Sequence, residues 1–237
     1  LQAIQGVVQD HWGALNTLPL AEVPALRHDI VAPYYREWLA HPQRDAFWES
    51  VTVESAHPRV HVPSLNLGGW YDLFIRGTLR NFTGMRENGA TSRAREGQRL
   101  VIGPWSHGTQ LGGRTGNRVF GASAALLLDD LHIRWFDHWL KDARNGVETD
   151  KAVRVFTMGV NHWREYDAWP PAEAVPSRYY LHSNGFAATA VGDGALSPEA
   201  PGAERPDHFV FDPLNPVPTV GGPLFPSPID VPPGSPW

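Results

Sequence analysis

Between residues 59 and 107 the chain reads strand, helix, strand, and that order leaves few folds open. "RVHVPSLNLGG" is a short run rich in Val and Leu, ended by two glycines, and reads as a buried strand. "DLFIRGTLRNFTGMREN" follows, with Leu73, Phe74, Leu79, Phe82 and Met85 on a roughly helical period and Asn88-Gly89 as its stop. "QRLVIG" is a second buried run. Two strands joined by one helix run parallel, with a right-handed crossover and a shared carboxyl edge. The predicted fold class is therefore α/β.

The flanks differ from this middle. Residues 1–57 read as a helical, aromatic layer. In "VAPYYREWLAHPQRDAFWESV" apolar residues recur at helical intervals, interrupted by Pro33 and Pro42, and "HPQRDAFWESV" reads as a short helix of its own. Trp38, Phe47 and Trp48 are expected to face an apolar partner. Residues 123–142, "SAALLLDDLHIRWFDHWLKD", predict a long amphipathic helix. Its expected parts are Ser123 as N-cap, a buried stripe of Leu128, Leu131, Trp135 and Trp139, and an Asp130–Arg134 pair. Lys141 and Arg144 suit its C-terminal dipole, and Asn145-Gly146 is expected to stop it. From about residue 150, "AVRVFTMG", "SRYYLHS" and "HFVFDP" read as strands opening a second, sandwich-like domain. The chain begins without an initiator Met and closes on the Pro-rich "PLFPSPIDVPPGSPW", so both ends read as cut from something longer.

Composition narrows the partners. With 42% apolar and 19% charged residues, the chain of 237 residues can bury a core. A net charge of -5 and the absence of basic runs give no reason to expect nucleic acid or an anionic membrane. No apolar run approaches the roughly 20 residues that span a bilayer. Without cysteine there is no disulfide framework or thiolate metal site. No targeting signal is legible, so localisation stays open, as does a homo-oligomer.

The parallel unit brings two chemical residues together. Asp72 lies just past the first strand, in "GGWYD", and His107 just past the second, in "GPWSH". Ligands of open α/β sheets bind at the carboxyl edge. There an Asp accepting from His Nδ1 would fix the tautomer and support Nε2 as a base toward a nucleophile. The plainer alternative is that Asp72 caps the following helix and His107 is an ordinary loop residue. In α/β-hydrolases the serine precedes the acid and the histidine, yet Ser50, Ser55 and Ser64 lie in no elbow-like setting. "GASAA" around Ser123 has Ala where the second Gly belongs, and Ser106 points away from His107 in extended geometry. Histidines 11, 28, 41, 57 and 61 form no metal-binding pair, and His132 and His138, six apart, do not share a face with Asp137 between them. Trp12, Trp38 and Trp48 could shape an apolar pocket, though core packing explains each one singly as well. Leu224 and Phe225 sit in a loop-like "GGPLF" that could reach a site from the side.

"VPSLNLGGWYDLFIRGTLRNFTGM", "RLVIGPWSHG" and "RWFDHWLKDARNGV" together resemble the cocaine esterase / X-prolyl dipeptidyl-peptidase family of α/β-hydrolases. "VRVFTMGVNHWREYDAWPP" and "FDPLNPVPTVGG" extend the resemblance. It implies part of a helical cap over 1–57, the C-terminal part of an α/β-hydrolase domain over 58–148, and an incomplete jelly-roll-like β domain over 149–237. It also implies Asp72 as catalytic acid, His107 as catalytic base and Phe74 as an aromatic of the acyl pocket. The family's nucleophilic serine and oxyanion tyrosine have no counterpart here, so the remainder of the polypeptide would supply them. The implied substrate is a small ester or amide, cleaved through an acyl-enzyme without a cofactor. The alternative from another class is a non-catalytic interaction module with a remnant hydrolase fold.

Overall fold

Pro33 opens a helix instead of interrupting one. Its fixed φ and missing N–H suit the first helical position, where no donor is needed, and α1 runs Pro33–Ala40. The computed structural model describes residues 16–24, 26–189 and 191–212. They fall into two units that divide between Pro58 and Arg59. In the first, α2 (Ala46–Glu49) is the separate short helix that "HPQRDAFWESV" predicts, with the Asp45 carboxylate accepting from the N–H groups of Phe47 and Trp48. The aromatic side chains meet one another. Trp38 lies 4.6 Å from Tyr34 and 5.9 Å from Trp48 between ring centroids, and Phe47 meets Trp48 edge to face.

The second unit is built on the predicted parallel pair. β1 (Leu65–Gly69) and β2 (Arg99–Gly103) pair in register from Leu65 opposite Arg99 to Gly69 opposite Gly103. Between them α3 (Ile75–Asn88) buries Phe82 and Met85, with Ile75 and Leu79 packed toward the same core. Leu73 and Phe74 precede this helix and stay exposed, because the chain turns there and the Ile75 N–H bonds back to the Asp72 carbonyl. Gly89 ends α3 as predicted, and α4 (Ser92–Glu96), capped by Thr91, leads into β2.

After His107 the chain makes a small hairpin, β3 (Arg114–Thr115) and β4 (Arg118–Val119). It then forms α5 (Leu128–Lys141). Three details of this helix differ from expectation. Ser123 is not its N-cap: Leu127 precedes the first turn, and Ser123 lies in a 3-10 turn, Ala122–Ala124. Arg134 does not pair with Asp130. It makes a two-pronged bond to Asp150 at 2.5 and 2.9 Å, a planar match that an i,i+4 neighbour does not offer here. The helix ends before Asn145-Gly146, at Asp142, whose φ of 54° turns the chain left-handed. The stripe itself is as expected: Trp135 is buried, with Leu128, Leu131 and Trp139 half-buried beside it.

The next two strands join the α/β sheet. β5 (Val153–Thr157) pairs in parallel with β2, and β6 (His162–Tyr166) pairs antiparallel with β5. "AVRVFTMG", which supplies β5, reads in sequence as opening the sandwich-like domain, and the sequence reading names no strand at β6, yet the hydrogen bonds give the order β1-β2-β5-β6. β2 is thus flanked on both sides and buried, while β1, at the sheet's edge among the described residues, is only half-buried. Phe82, Leu100, Ile102, Val153 and Val155 form the core between sheet and helix. Beyond β6, β7 (Tyr180–His182) and β8 (Ala195–Ser197) make a two-stranded sheet. "HFVFDP" forms no strand over its described residues: Phe209, Val210 and Phe211 are exposed and irregular.

Candidate active site

Two glycines let the ends of β1 and β2 come close. The Trp70 N–H donates to the Gly103 carbonyl at 2.9 Å, and the Tyr71 N–H donates to the Trp105 carbonyl at 3.0 Å, so pairing continues past both strands. A Cβ on Gly69 would lie 2.1 Å from the Trp105 carbonyl oxygen, and one on Gly103 would lie 2.1 Å from the Trp105 indole. Only glycine fits at either place. Asp72 follows Tyr71 directly and His107 lies two residues after Trp105, and His107 Nδ1 lies 3.1 Å from Asp72 Oδ2.

The two oxygens of Asp72 do different work. Oδ1 accepts from the Phe74 N–H at 2.8 Å and fixes the turn into α3. Oδ2 faces the imidazole. The expected helix cap is not formed, since Phe74 occupies the N-cap position of α3 without a side-chain bond, and Asp72 instead closes the turn just before it while facing the imidazole. The carboxylate is nearly covered, with its side chain 12% exposed, against 43% for that of His107. The Phe74 ring meets the imidazole edge-on, 5.4 Å between centroids. A carboxylate on Nδ1 holds the proton at that nitrogen and leaves Nε2 as the basic atom.

The sequence-predicted residues sort clearly. Asp72, His107 and Phe74 come together. Ser106 is buried and its hydroxyl is 3.0 Å from that of Thr109. Ser64 donates to Gln98, Ser50 to the Phe47 carbonyl and Ser55 to the Thr52 carbonyl. His41 pairs with Asp45, and His138 donates to the Ala143 carbonyl. Among the described residues no three metal-ligating side chains gather. Trp38 and Trp48 pack within the first unit. Trp12, His11, Leu224 and Phe225 lie outside the described residues. The sequence reading missed Trp105, a buried residue whose indole N–H donates to the Ala124 carbonyl at 2.8 Å and anchors the histidine loop. Its signal was present, since a Trp directly after a Gly-Pro strand end is a large side chain beside a vacant position.

Residues 4–109 match the family model for X-Pro dipeptidyl-peptidase (S15 family). Residues 145–222 match the model for the X-Pro dipeptidyl-peptidase C-terminal non-catalytic domain, a stretch that includes β5 and β6. Over 225 residues the chain is 33% identical to a cocaine esterase of Rhodococcus sp. (strain MB1 Bresler), covering 94% of this chain and 38% of that protein. Among solved structures it is similar to an aminopeptidase from the marine sediment archaeon Thaumarchaeota archaeon. That match has 27% identity and a TM-score of 0.68 over 87% of this chain and 33% of the other. It is also similar to an α-amino acid ester hydrolase, at 26% identity and a TM-score of 0.60 over 81% and 31% of the two chains. The chain thus spans 31% to 38% of the length of these three proteins.

Proposed function

This chain belongs to the cocaine esterase / X-prolyl dipeptidyl-peptidase family of α/β-hydrolases, and from that premise we propose that it supplies the acid and base of a serine hydrolase. The observation that carries the reading is the hydrogen bond of 3.1 Å between Asp72 and His107 at the ends of adjacent parallel strands. In the proposed reaction a serine outside these 237 residues attacks the carbonyl carbon of a small ester or amide. His107 Nε2 takes the serine proton and gives it to the departing alcohol or amine. Water then attacks the acyl-enzyme, again losing its proton to Nε2, and the serine is restored. Asp72 holds the imidazole in the required tautomer and stabilises the imidazolium. Phe74, against the edge of His107, forms part of the acyl-pocket wall. Residues 1–57 are assigned to part of a helical cap, and the stretch beyond β6 to a jelly-roll-like domain.

A fluorophosphonate serine probe tests this. The chain by itself is expected to stay unlabelled and to lack saturable turnover of p-nitrophenyl acetate. A longer polypeptide carrying the serine is expected to label, and Asp72→Asn in it to lower turnover by about 10⁴-fold. Stoichiometric labelling of this chain at Ser106 or Ser123, or full turnover by the Asp72→Asn polypeptide, would overturn the proposal.

A further inference from the structure

Trp163 sits on β6, outside both loops that carry Asp72 and His107, yet it is joined to the histidine loop. Its ring lies 5.7 Å from that of Trp105, tilted by 56°. The two indoles donate to successive carbonyls of one turn, Trp163 to Ser123 and Trp105 to Ala124, each at 2.8 Å. Trp105 in turn carries the carbonyl that accepts the Tyr71 N–H, the bond that ties the histidine loop to the aspartate loop. Behind Trp163, Phe156 meets it edge to face at 5.5 Å, and the Arg154 guanidinium stacks on it at 4.9 Å. Trp163 is therefore fixed from the sheet side and presents its ring to Trp105. His107 follows two residues later with its side chain 43% exposed. The imidazole, bonded to Asp72 and edge-on to Phe74, meets both partners only where the backbone of its loop carries it.

We propose that Trp163 is a positioning residue for the His107 imidazole, acting through Trp105. β6, within the stretch that matches a C-terminal non-catalytic domain, then governs the geometry of the Asp72–His107 pair. The inference rests on the reading of His107 as the base and deepens it. A Trp at this place supplies both a flat face for Trp105 and an N–H that pins the Ala122–Ala124 turn. Loss of either lets the histidine loop move away from Asp72.

The test is nuclear magnetic resonance of the 237-residue chain with its histidines labelled with nitrogen-15. The His107 signals are assigned by their disappearance in His107→Gln. In the unaltered chain His107 is expected to show an Nδ1-protonated tautomer with a slowly exchanging proton. Trp163→Leu is expected to lose that proton signal while the dispersed amide spectrum remains. Trp163→Phe keeps a ring but no bond to Ser123 and is expected to weaken the signal. Trp139→Leu removes an indole of the same size from α5 and is expected to leave it intact. An unchanged signal in Trp163→Leu, or an equal loss in Trp139→Leu, would overturn the proposal. Should Trp163→Leu not fold, Trp163→Phe decides alone: a weakened signal supports the proposal and an unchanged one overturns it. Asp72→Asn separates the two readings, since a signal that survives that change means the Asp72–His107 pair itself has been misread.

Discussion

Replacing Gly69 with alanine probes the contact on which the site depends. The new methyl would lie 2.1 Å from the carbonyl oxygen of Trp105, and backbone atoms surround it on that side. The two strand ends would have to part by roughly 1 Å or more to reach ordinary contact. Parting them breaks the Tyr71–Trp105 bond, now 3.0 Å, which is worth about 1 kcal/mol. Forcing a carbon into a packed interior adds about 1–3 kcal/mol. The expected cost is therefore about 2–4 kcal/mol. Gly68 is the internal control. A methyl there meets Ile102 Cδ1 at 3.2 Å and Thr78 Cγ2 at 3.3 Å, both side-chain ends that can yield. Alanine also removes glycine's entropic cost in a strand, about 0.5–1 kcal/mol, so Gly68→Ala is expected to be near neutral. Urea unfolding of the two variants at equal m-value reads the difference. Equal midpoints would refute the view that Gly69 exists to let the aspartate and histidine loops touch.

Three further outcomes follow from the structure. Phe82→Ala empties the fully buried centre of the sheet–helix core and is expected to cost about 3–5 kcal/mol in urea unfolding, whereas Phe74→Ala, at an exposed ring, is expected to cost under about 1 kcal/mol. Asp150→Asn removes the carboxylate that raises the basicity of Arg134 by hydrogen bonding, and because both side chains are over a third exposed it is expected to cost at most about 1 kcal/mol, less in high salt. Both ring nitrogens of His182 face acceptors, Glu204 Oε1 at 2.6 Å and the Glu199 carbonyl at 2.9 Å, an arrangement that only the imidazolium satisfies. Hydrogen bonding to Glu204 and then to Glu199 raises the His182 pKa, and bonding to His182 lowers that of Glu204. The raised histidine contributes stability that is complete below its unfolded value of about 6.5 and is lost as pH climbs through its folded value, while the lowered Glu204 contributes stability present above about 4.3 and lost in acid. The protection of amides 199–207 against hydrogen exchange, taken relative to their intrinsic exchange at each pH, should therefore be greatest in mildly acidic solution, and Glu204→Gln should flatten that profile.

Local patterns and long-range pairing were unequally legible. α3 was readable because Leu79, Phe82 and Met85 repeat on one helical face and Asn88-Gly89 ends it. The parallel pairing of β1 and β2 followed because one helix between two strands leaves little choice. The partner of β5 was not readable. "AVRVFT" has the same local character in a parallel sheet as in a sandwich, and its bonds to β2 cross about 50 residues. "HFVFDP" shows the opposite failure: strand-like composition makes no strand without a ladder to join. At α5 the acidic residues Asp129 and Asp130, now in the first turn, marked the true start better than Ser123 did. The salt bridge of Arg134 went to Asp150, 16 residues away, since sequence spacing ranks near neighbours and says nothing of a chain that folds back.

In the proposed reading the structural and the chemical role of Asp72 need not compete. A carboxylate has two oxygens, and here one closes the turn before α3 while the other faces His107. The turn that leads into the helix therefore orients the carboxylate toward the imidazole. Substitution by Asn can retain the turn, since its carbonyl oxygen still accepts from Phe74 N–H. Its amide nitrogen then faces Nδ1 as a donor, so the imidazole must accept there and carry its proton on Nε2. In the proposed reading the turn is preserved and His107, the proposed base, is held in the wrong tautomer. An acid placed by a turn in this way would lose its proposed chemistry with little loss of stability, and a stability measurement alone would miss it.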